Sequence, residues 1–227
     1  MPTLEKTKPI AMRRGMSQLP QAFHRPTPSG EDRRITRSRA ALREALIELM
    51  GECGFEAITV NDLCARAGLT RGTFYNHYQD KEALLAAFED EILADLEFFE
   101  RRMGDLSMAN VLYHIARKQP LPFLVELFDY LRTQGDFLHA VLGPGGDVRF
   151  APRLRDTLCT QIVQSILHEQ YRDNPTPFVG YYVAFFASAY LGVITRWIET
   201  GMRETSQEMA LISQRLLFIK PGESIKL

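Results

Sequence analysis

Along residues 39–53 the apolar positions Leu42, Ala45, Leu46, Leu49, Met50 and Cys53 recur at three- and four-residue steps. This spacing predicts one helix, closed by Gly54 in the left-handed cap position. Phe55 packs where the chain turns. Thr59 stands just before Val60, Leu63, Cys64 and Ala67, so its hydroxyl caps a short second helix with Asp62 in the first turn. Gly68 ends that helix, and only Leu69 and Thr70 separate it from a third segment, 71–78, for which Thr70 is the natural N-cap. Asp80 then caps a long fourth helix carrying Leu84, Leu85, Phe88, Ile92, Leu96, Phe99 and Met103 on one stripe.

Beyond Gly104 the pattern stays helical over 111–118, 121–134, 137–142, 153–171, 177–200 and 206–218. The breaks are Pro120, Gly135, the Gly143-Pro144-Gly145-Gly146 loop, Asn174-Pro175 and Gly201. No alternating strand pattern and no internal repeat occurs. The expected fold is all-α, a three-helix head with a helix-turn-helix joined to a larger helical bundle. The chain is expected to divide into a disordered basic arm at 1–32, a helix-turn-helix head at 33–81 and a larger helical body at 82–227.

The third segment carries the chemistry. Two short helices joined by a short turn containing glycine form the helix-turn-helix, whose second helix enters the major groove of DNA. Phe74 and Tyr78, four apart, face inward. The other face offers Arg71, Thr73, Tyr75 and His77, which suit guanine edges, thymine methyls and phosphate oxygens. Gly72 costs about 1 kcal/mol relative to alanine in a helix. It leaves the backbone bare for close approach.

The stretch TVNDLCARAGLTRGTFYNHYQDKEALL, Thr59 to Leu85, resembles the DNA-binding head of TetR/AcrR-family transcriptional regulators. The resemblance runs from about Arg37 to Phe88 and includes the Gly-Phe segment before helix two, the threonine caps and the Asp-Lys pair opening helix four. It implies a homodimer on a near-palindromic operator, with Thr59 and Lys81 on phosphates, Tyr75 and His77 on the backbone or groove floor, and Arg71 and Thr73 nearest the bases. Asn61, Thr70, Gly72 and Asn76 complete the candidate DNA-binding residues. Asn76-His77-Tyr78 stands where many members have Tyr-His-Phe, so the division of roles between Asn76 and His77 stays open. The segments FDYLRTQGDFLHAVLGPGG and YLGVITRWIETGMRETSQEMA are similar to the C-terminal domain typed in Firmicutes regulators. That likeness implies a dimer interface made by the last two helices and names no shared ligand.

Charge sharpens the picture slightly. The 227 residues carry a net charge of −1, but residues 1–81 hold 13 Lys+Arg against 9 Asp+Glu and residues 82–227 hold 14 against 19. A basic front suits a polyanion partner, although a solvated face explains so small an imbalance equally well. Residues 1–30, with five prolines and five cations, contain no apolar run of signal-peptide length and read as an arm that adds salt-sensitive attraction to phosphate. The three cysteines, Cys53, Cys64 and Cys159, lack metal or disulfide spacing and read as buried thiols in a reducing, cytoplasmic compartment.

No charge occurs between Asp173 and Arg196, and by length that run allows a membrane span. Two prolines at its start and the four-residue spacing of Gly180, Ala184, Ser188 and Gly192 favour a bundle helix at a close helix crossing, so no membrane is expected. These four and Trp197 are the expected dimer interface. The aromatics Phe99, Phe123, Phe128, Phe186 and Tyr190 are core residues by spacing and candidates to line a pocket for a small apolar effector. His168-Glu169 lacks the second histidine of a zinc site, and the glycine loop lacks the Lys-Ser/Thr of a phosphate-binding loop. No metal, cofactor or catalytic residue is expected. The reading is therefore a non-enzyme: a homodimeric regulator of transcription, a repressor that binds double-stranded operator DNA and is released when an effector shifts its body. The alternative is a co-regulator of the same family whose head meets another regulator instead of DNA.

Overall fold

The computed structural model describes residues 30–103, 108–157 and 177–217, and no strand occurs among them. Helix α1 spans Gly30–Cys53 and is followed by a 3-10 turn, Phe55–Ala57, and by α2 (Val60–Ala67), α3 (Arg71–Tyr75) and α4 (Lys81–Met103). The body continues with α5 (Met108–Ala116), α6 (Pro122–Thr133), α7 (Gly135–Leu142), the helical residues 150–157 as α8, α9 (Pro177–Glu199) and α10 (Ser206–Leu217). Cys159, the His168-Glu169 pair and residues 1–29 lie outside the described residues.

Helix α1 begins at Gly30, ahead of the apolar stripe that predicted a start at 39 and inside the segment expected to be disordered. The physical reason is local: Glu31 and Asp32 occupy the first turn, where the helix dipole favours acids, and arginines and alanines propagate the helix without needing a core. The described side chains at its start, Arg33 to Arg37, are exposed. The arm's remaining residues are not among those described.

In the head, the predicted stripe is the core: Leu42, Leu46, Leu63, Phe74 and Leu84 have no exposed surface. Thr59 closes α2 with a reciprocal box. Its hydroxyl oxygen accepts from the Asp62 amide at 3.2 Å, and the Asp62 carboxylate accepts from the Thr59 amide at 3.0 Å. Gly68 ends α2 in the left-handed conformation, φ 65°, ψ 33°. Gly54 also has positive φ, 76°, but its ψ of 155° is extended, so it is not the left-handed cap the sequence predicts. It stands directly before the 3-10 turn, which the Ile58 amide closes on the Phe55 carbonyl at 3.2 Å.

The body is built on α6 packed against α10, with α9 against α7 and α4 against α6. Gln214 of α10, 5% exposed, accepts the Leu121 amide at 3.1 Å and so satisfies the start of α6, which has proline at its first position. Two predicted breaks fall between helices as expected, and both are packed. Gly135 lies between α6 and α7, opens α7 and is buried so tightly against the Met202 side chain that a Cβ would not fit. The Gly143–Gly146 loop is docked: the Gly145 carbonyl accepts the Phe55 amide at 2.8 Å. A Cβ on Gly145 would come 2.9 Å from Gly54 Cα, so glycine is needed for close backbone approach. Cys64 is buried as predicted, whereas Cys53 is exposed at the end of α1, its thiol directed to the Leu49 carbonyl at 3.3 Å.

Helix α9 is long and apolar enough to cross a membrane by length and composition. Along one side it buries Ala187, Ile194, Trp197 and Ile198. Along the other Phe178, Tyr181 and Phe185 stand 73%, 79% and 68% exposed.

Candidate nucleic-acid interface

The short helix α3 is held by one anchor and one cap. Phe74 is fully enclosed, with Tyr75 edge-on at 5.5 Å and Tyr78 at 5.8 Å between ring centroids. Thr70 lies extended before the helix, and its hydroxyl oxygen accepts the Thr73 amide at 3.1 Å. With Phe74 fixed inward, the helical repeat turns Arg71, Gly72, Tyr75, Asn76 and His77 to solvent and leaves Thr73 half-buried. Tyr78 is half-buried, as its predicted inward position requires.

This face is polar and cationic but not empty of internal order. Arg71 lies over the Tyr75 ring at 5.7 Å, and its Nη2 donates to the Tyr75 hydroxyl at 3.4 Å. The Thr70 and Thr73 hydroxyls share a hydrogen bond at 2.9 Å. Nothing but the Thr70 hydroxyl, 3.8 Å away, would meet a Cβ on Gly72, so the surface above that residue is open. Beside α3, α2 presents Thr59 and Asn61, both exposed. The Asp62 carboxyl sits below the usual carboxylate range because the Thr59 hydroxyl and amide donate to it.

Lys81 is the exception among the candidates. Its ammonium donates to the carbonyls of Phe55 and Glu56 at 3.0 and 2.9 Å and lies 4.8 Å from the Phe55 ring. It closes the 3-10 turn, and a phosphate would have to share it with those two carbonyls. Arg66 is likewise spent, bridging Glu48 and Glu52 at 2.8 Å each.

In the body, the expected interface residues divide. Gly180, Ala184, Ser188 and Gly192 are all exposed, and a Cβ on either glycine would meet nothing within 4 Å. Trp197 faces the other way: it is 2% exposed, edge-on to Phe128 at 5.3 Å, with its indole N–H donated to the Glu204 carbonyl at 3.1 Å. Its surface is used within its own chain, leaving none for a second copy. Of the expected pocket aromatics, Phe128 shares that core, Phe99 lies tilted against Tyr130 at 5.4 Å between ring centroids, and Phe123 packs half-buried against the core. Phe186 contacts Tyr182 at 4.5 Å, while the Tyr190 hydroxyl donates to the Ser213 carbonyl at 3.1 Å. None of the five lines the surface cavity of about 300 Å³ between α7 and α9, which His139, Leu142, Pro144 and Glu199 help to form.

Sequence reasoning passed over two charged residues that connect head to body. Arg43 of α1 lies over Phe137 at 5.0 Å and donates to Gln134 at 2.5 Å. Glu89 of α4 is 2% exposed. For Glu89 a signal was present: it stands one turn from Leu85 and from Ile92 and Leu93 on the apolar stripe, where a carboxyl is costly unless paired.

Comparison with known proteins agrees with this geometry. Residues 42–88 match the family model for bacterial regulatory proteins of the tetR family, and residues 118–218 match a transcriptional regulator C-terminal region. Over 57 residues, a quarter of the chain, the sequence is 37% identical to the tetracycline repressor protein class D of Escherichia coli, covering 26% of that protein. The curated relatives it first matches are spanned over only 17% to 32% of their length. Among solved structures, a TetR transcriptional regulator from Streptococcus agalactiae superposes with a TM-score of 0.53 at 21% identity, over 82% of this chain and 97% of that one. FadR from Bacillus subtilis in complex with stearoyl-CoA gives 0.51 at 16%, over 78% and 96%. At these identities the structural likeness is one of fold. Head motif, C-terminal match and all-helical architecture together place the chain: it belongs to the TetR family of bacterial transcriptional regulators.

Proposed function

We propose that this protein is a repressor that binds a near-palindromic operator as a homodimer and lets go when a small apolar effector occupies its body. The observation that carries the reading is α3: a helix pinned by one buried phenylalanine, with Arg71, Tyr75, Asn76 and His77 outward and open space over Gly72. Such a face pairs hydrogen-bonding groups with close backbone access, which base edges and phosphates require. Arg71 and Thr73 read bases, Tyr75, Asn76 and His77 hold the backbone or groove floor, and Thr59, Asn61 and Thr70 lie along phosphates. Lys81 assists as a positioning group for the turn beneath them.

Dimerisation falls to the exposed side of α9, where Gly180, Ala184, Ser188 and Gly192 lie beside Phe178, Tyr181 and Phe185. A contiguous apolar face of this kind marks a partner site, and small residues allow two helices to approach closely. In the cytoplasm the covering partner is a second copy of the chain. The effector reading draws on the body's aromatics and on FadR of Bacillus subtilis, solved with stearoyl-CoA. A ligand acts by differential affinity for two spacings of the heads, leaving the recognition helices themselves intact.

The test is a salt-titrated mobility shift with the protein's own upstream region. Specific binding that weakens steeply with salt supports the reading. Absence of binding at low salt overturns it in favour of a co-regulator acting through another protein.

A further inference from the structure

Helix α4 leaves the head and enters the body, so whatever grips it sets the head's position. Five charged groups meet at one such point, two of them on α4 itself. Glu89, on the apolar side of α4, accepts from Arg153 Nη1 of α8 at 2.8 Å through Oε2, while its Oε1 is buried with no hydrogen-bond partner among the described residues. The second nitrogen of Arg153, Nη2, bonds Asp90, the exposed neighbour on α4. Asp147, at the end of the glycine loop, has a side chain only 7% exposed and is bound by Arg149 through Nε at 3.0 Å and Nη2 at 2.8 Å. Two residues earlier in that loop, Gly145 accepts the amide of Phe55, the buried residue at the base of the head.

The cluster thus joins α4, α8, the loop and the turn under α2. We propose that Glu89 and Arg153, with Asp147 and Arg149 beside them, form a proton-sensitive joint that positions the head on the body, an inference that rests on the DNA-binding reading above. Glu89 is the sensitive member because it is the one carboxyl of the cluster that is both enclosed and half-satisfied. Burial first, and then the nearby Asp147 carboxylate, push it up to about 7, against the attraction of Arg153 and Arg149. Asp147 is held low by its hydrogen bonds from Arg149, so it stays charged while Glu89 changes state.

The sign follows from linkage. A carboxyl raised from 4.5 to about 7 retains in this arrangement a proton that it gives up when hydrated. The stability it contributes is complete below 4.5 and is lost as pH rises through 7. Above that point the ionised Glu89, with one oxygen unpaired in the interior, favours any arrangement that admits water to it. Between pH 6 and pH 8 the balance between closed and opened joint shifts by up to about tenfold toward opening. A loosened joint must be re-ordered before two heads can meet two half-sites, so DNA affinity falls as pH rises.

The experiment measures operator affinity of the full chain at pH 6, 7 and 8 at fixed salt, together with melting temperature without DNA. Glu89→Gln keeps the shape and mimics the protonated state, so its affinity is expected to fall several-fold less than the wild type's across this range. Any pH dependence arising on the DNA face itself is common to both and cancels in the comparison. Among the described residues Arg153 is the cation bonded to Glu89, so Arg153→Met should displace the transition to higher pH, whereas loss of a merely structural contact lowers affinity by one factor at every pH. Parallel profiles for wild type and Glu89→Gln, or a uniform loss in Arg153→Met, overturn the joint while leaving DNA binding intact. If no DNA is bound even at low salt, the functional reading fails instead, and the melting series decides: the wild type loses stability relative to Glu89→Gln between pH 6 and pH 8, or the joint is rejected.

Discussion

Helices α3 and α9 each leave one side uncovered, and they do it with opposite chemistry. Arg71–Tyr75 is one short helix fixed by a single buried ring and a threonine cap, and its free side, with the two residues that follow it, carries a guanidinium, a phenol, an amide and an imidazole. Pro177–Glu199 runs 23 residues, and its free side carries Phe178, Tyr181, Phe185 and a row of small residues. A hydrated polar face costs nothing while it waits for a partner. A bare apolar face does carry a cost, about 25 cal/mol per Å² of surface left in water, and is tolerable only if a partner covers it most of the time. The first helix is therefore suited to reversible contact and the second to a lasting one.

The largest break in that comparison comes from Phe74, since α3 is too short to persist without tertiary contacts. Phe74→Ala removes a fully buried ring and should destabilise the head by about 3–5 kcal/mol. Circular dichroism melts would then show a separate, earlier transition for the head while the body's transition stays in place. A single unshifted transition would mean that α3 is held by something other than its anchor.

How far the sequence could be read differs between the two regions in the same way. The head was legible because its determinants are local: Thr59 and Thr70 cap helices, Gly68 ends one, and the apolar spacing locates Phe74, all within a few residues of what they fix. The body's helices were visible by period, but its contacts are between distant segments. Nothing in Gly143–Gly146 announced that these glycines admit the backbone of Gly54, and nothing local to Lys81 tied its ammonium to the Phe55 and Glu56 carbonyls. Trp197 shows the same limit, because helical spacing alone does not say which side of α9 is already taken by Phe128.

A cut at the other side of the comparison is Ala184→Leu. The residue is exposed in the single chain, so the larger side chain is tolerated there, but at a close helix crossing it should overpack by about 1–3 kcal/mol. Sedimentation is expected to show a weaker dimer with an unchanged melting profile for the protomer. DNA affinity should fall with it, because one head holding one half-site binds far more weakly than two linked heads. A fully dimeric variant at sub-micromolar concentration would move the interface to another surface.

Arg71→Ala acts on α3 alone. If the guanidinium reads a base, its loss should relax preference at one position in each half-site by about tenfold, with little change elsewhere in the site. Because Arg71 leans on Tyr75 in the free chain, Tyr75→Phe should show a smaller change of the same kind. A binding selection with unchanged base preference would assign Arg71 to phosphate.

Gly72→Ala has the smallest effect on the free protein and separates the two helices most cleanly. A Cβ at residue 72 meets nothing closer than the Thr70 hydroxyl at 3.8 Å, and the residue lies within α3, so alanine fits without strain. Relieved of glycine's backbone entropy, the variant should be more stable by about 0.5–1 kcal/mol. The same methyl would occupy the space through which DNA approaches, so operator affinity should fall although the protein has become more stable. Opposite signs in the melt and in the mobility shift would show that the face over Gly72 is kept bare for a partner and not for folding. The corresponding exchange on α9, Gly192→Ala, also meets open space in the single chain, but its penalty should appear in sedimentation instead of in the affinity of a preformed dimer for DNA. If Gly72→Ala binds its operator as tightly as the wild type, the close approach of DNA to α3 is excluded, and the polar face of this helix must be used at a greater distance or by a different partner.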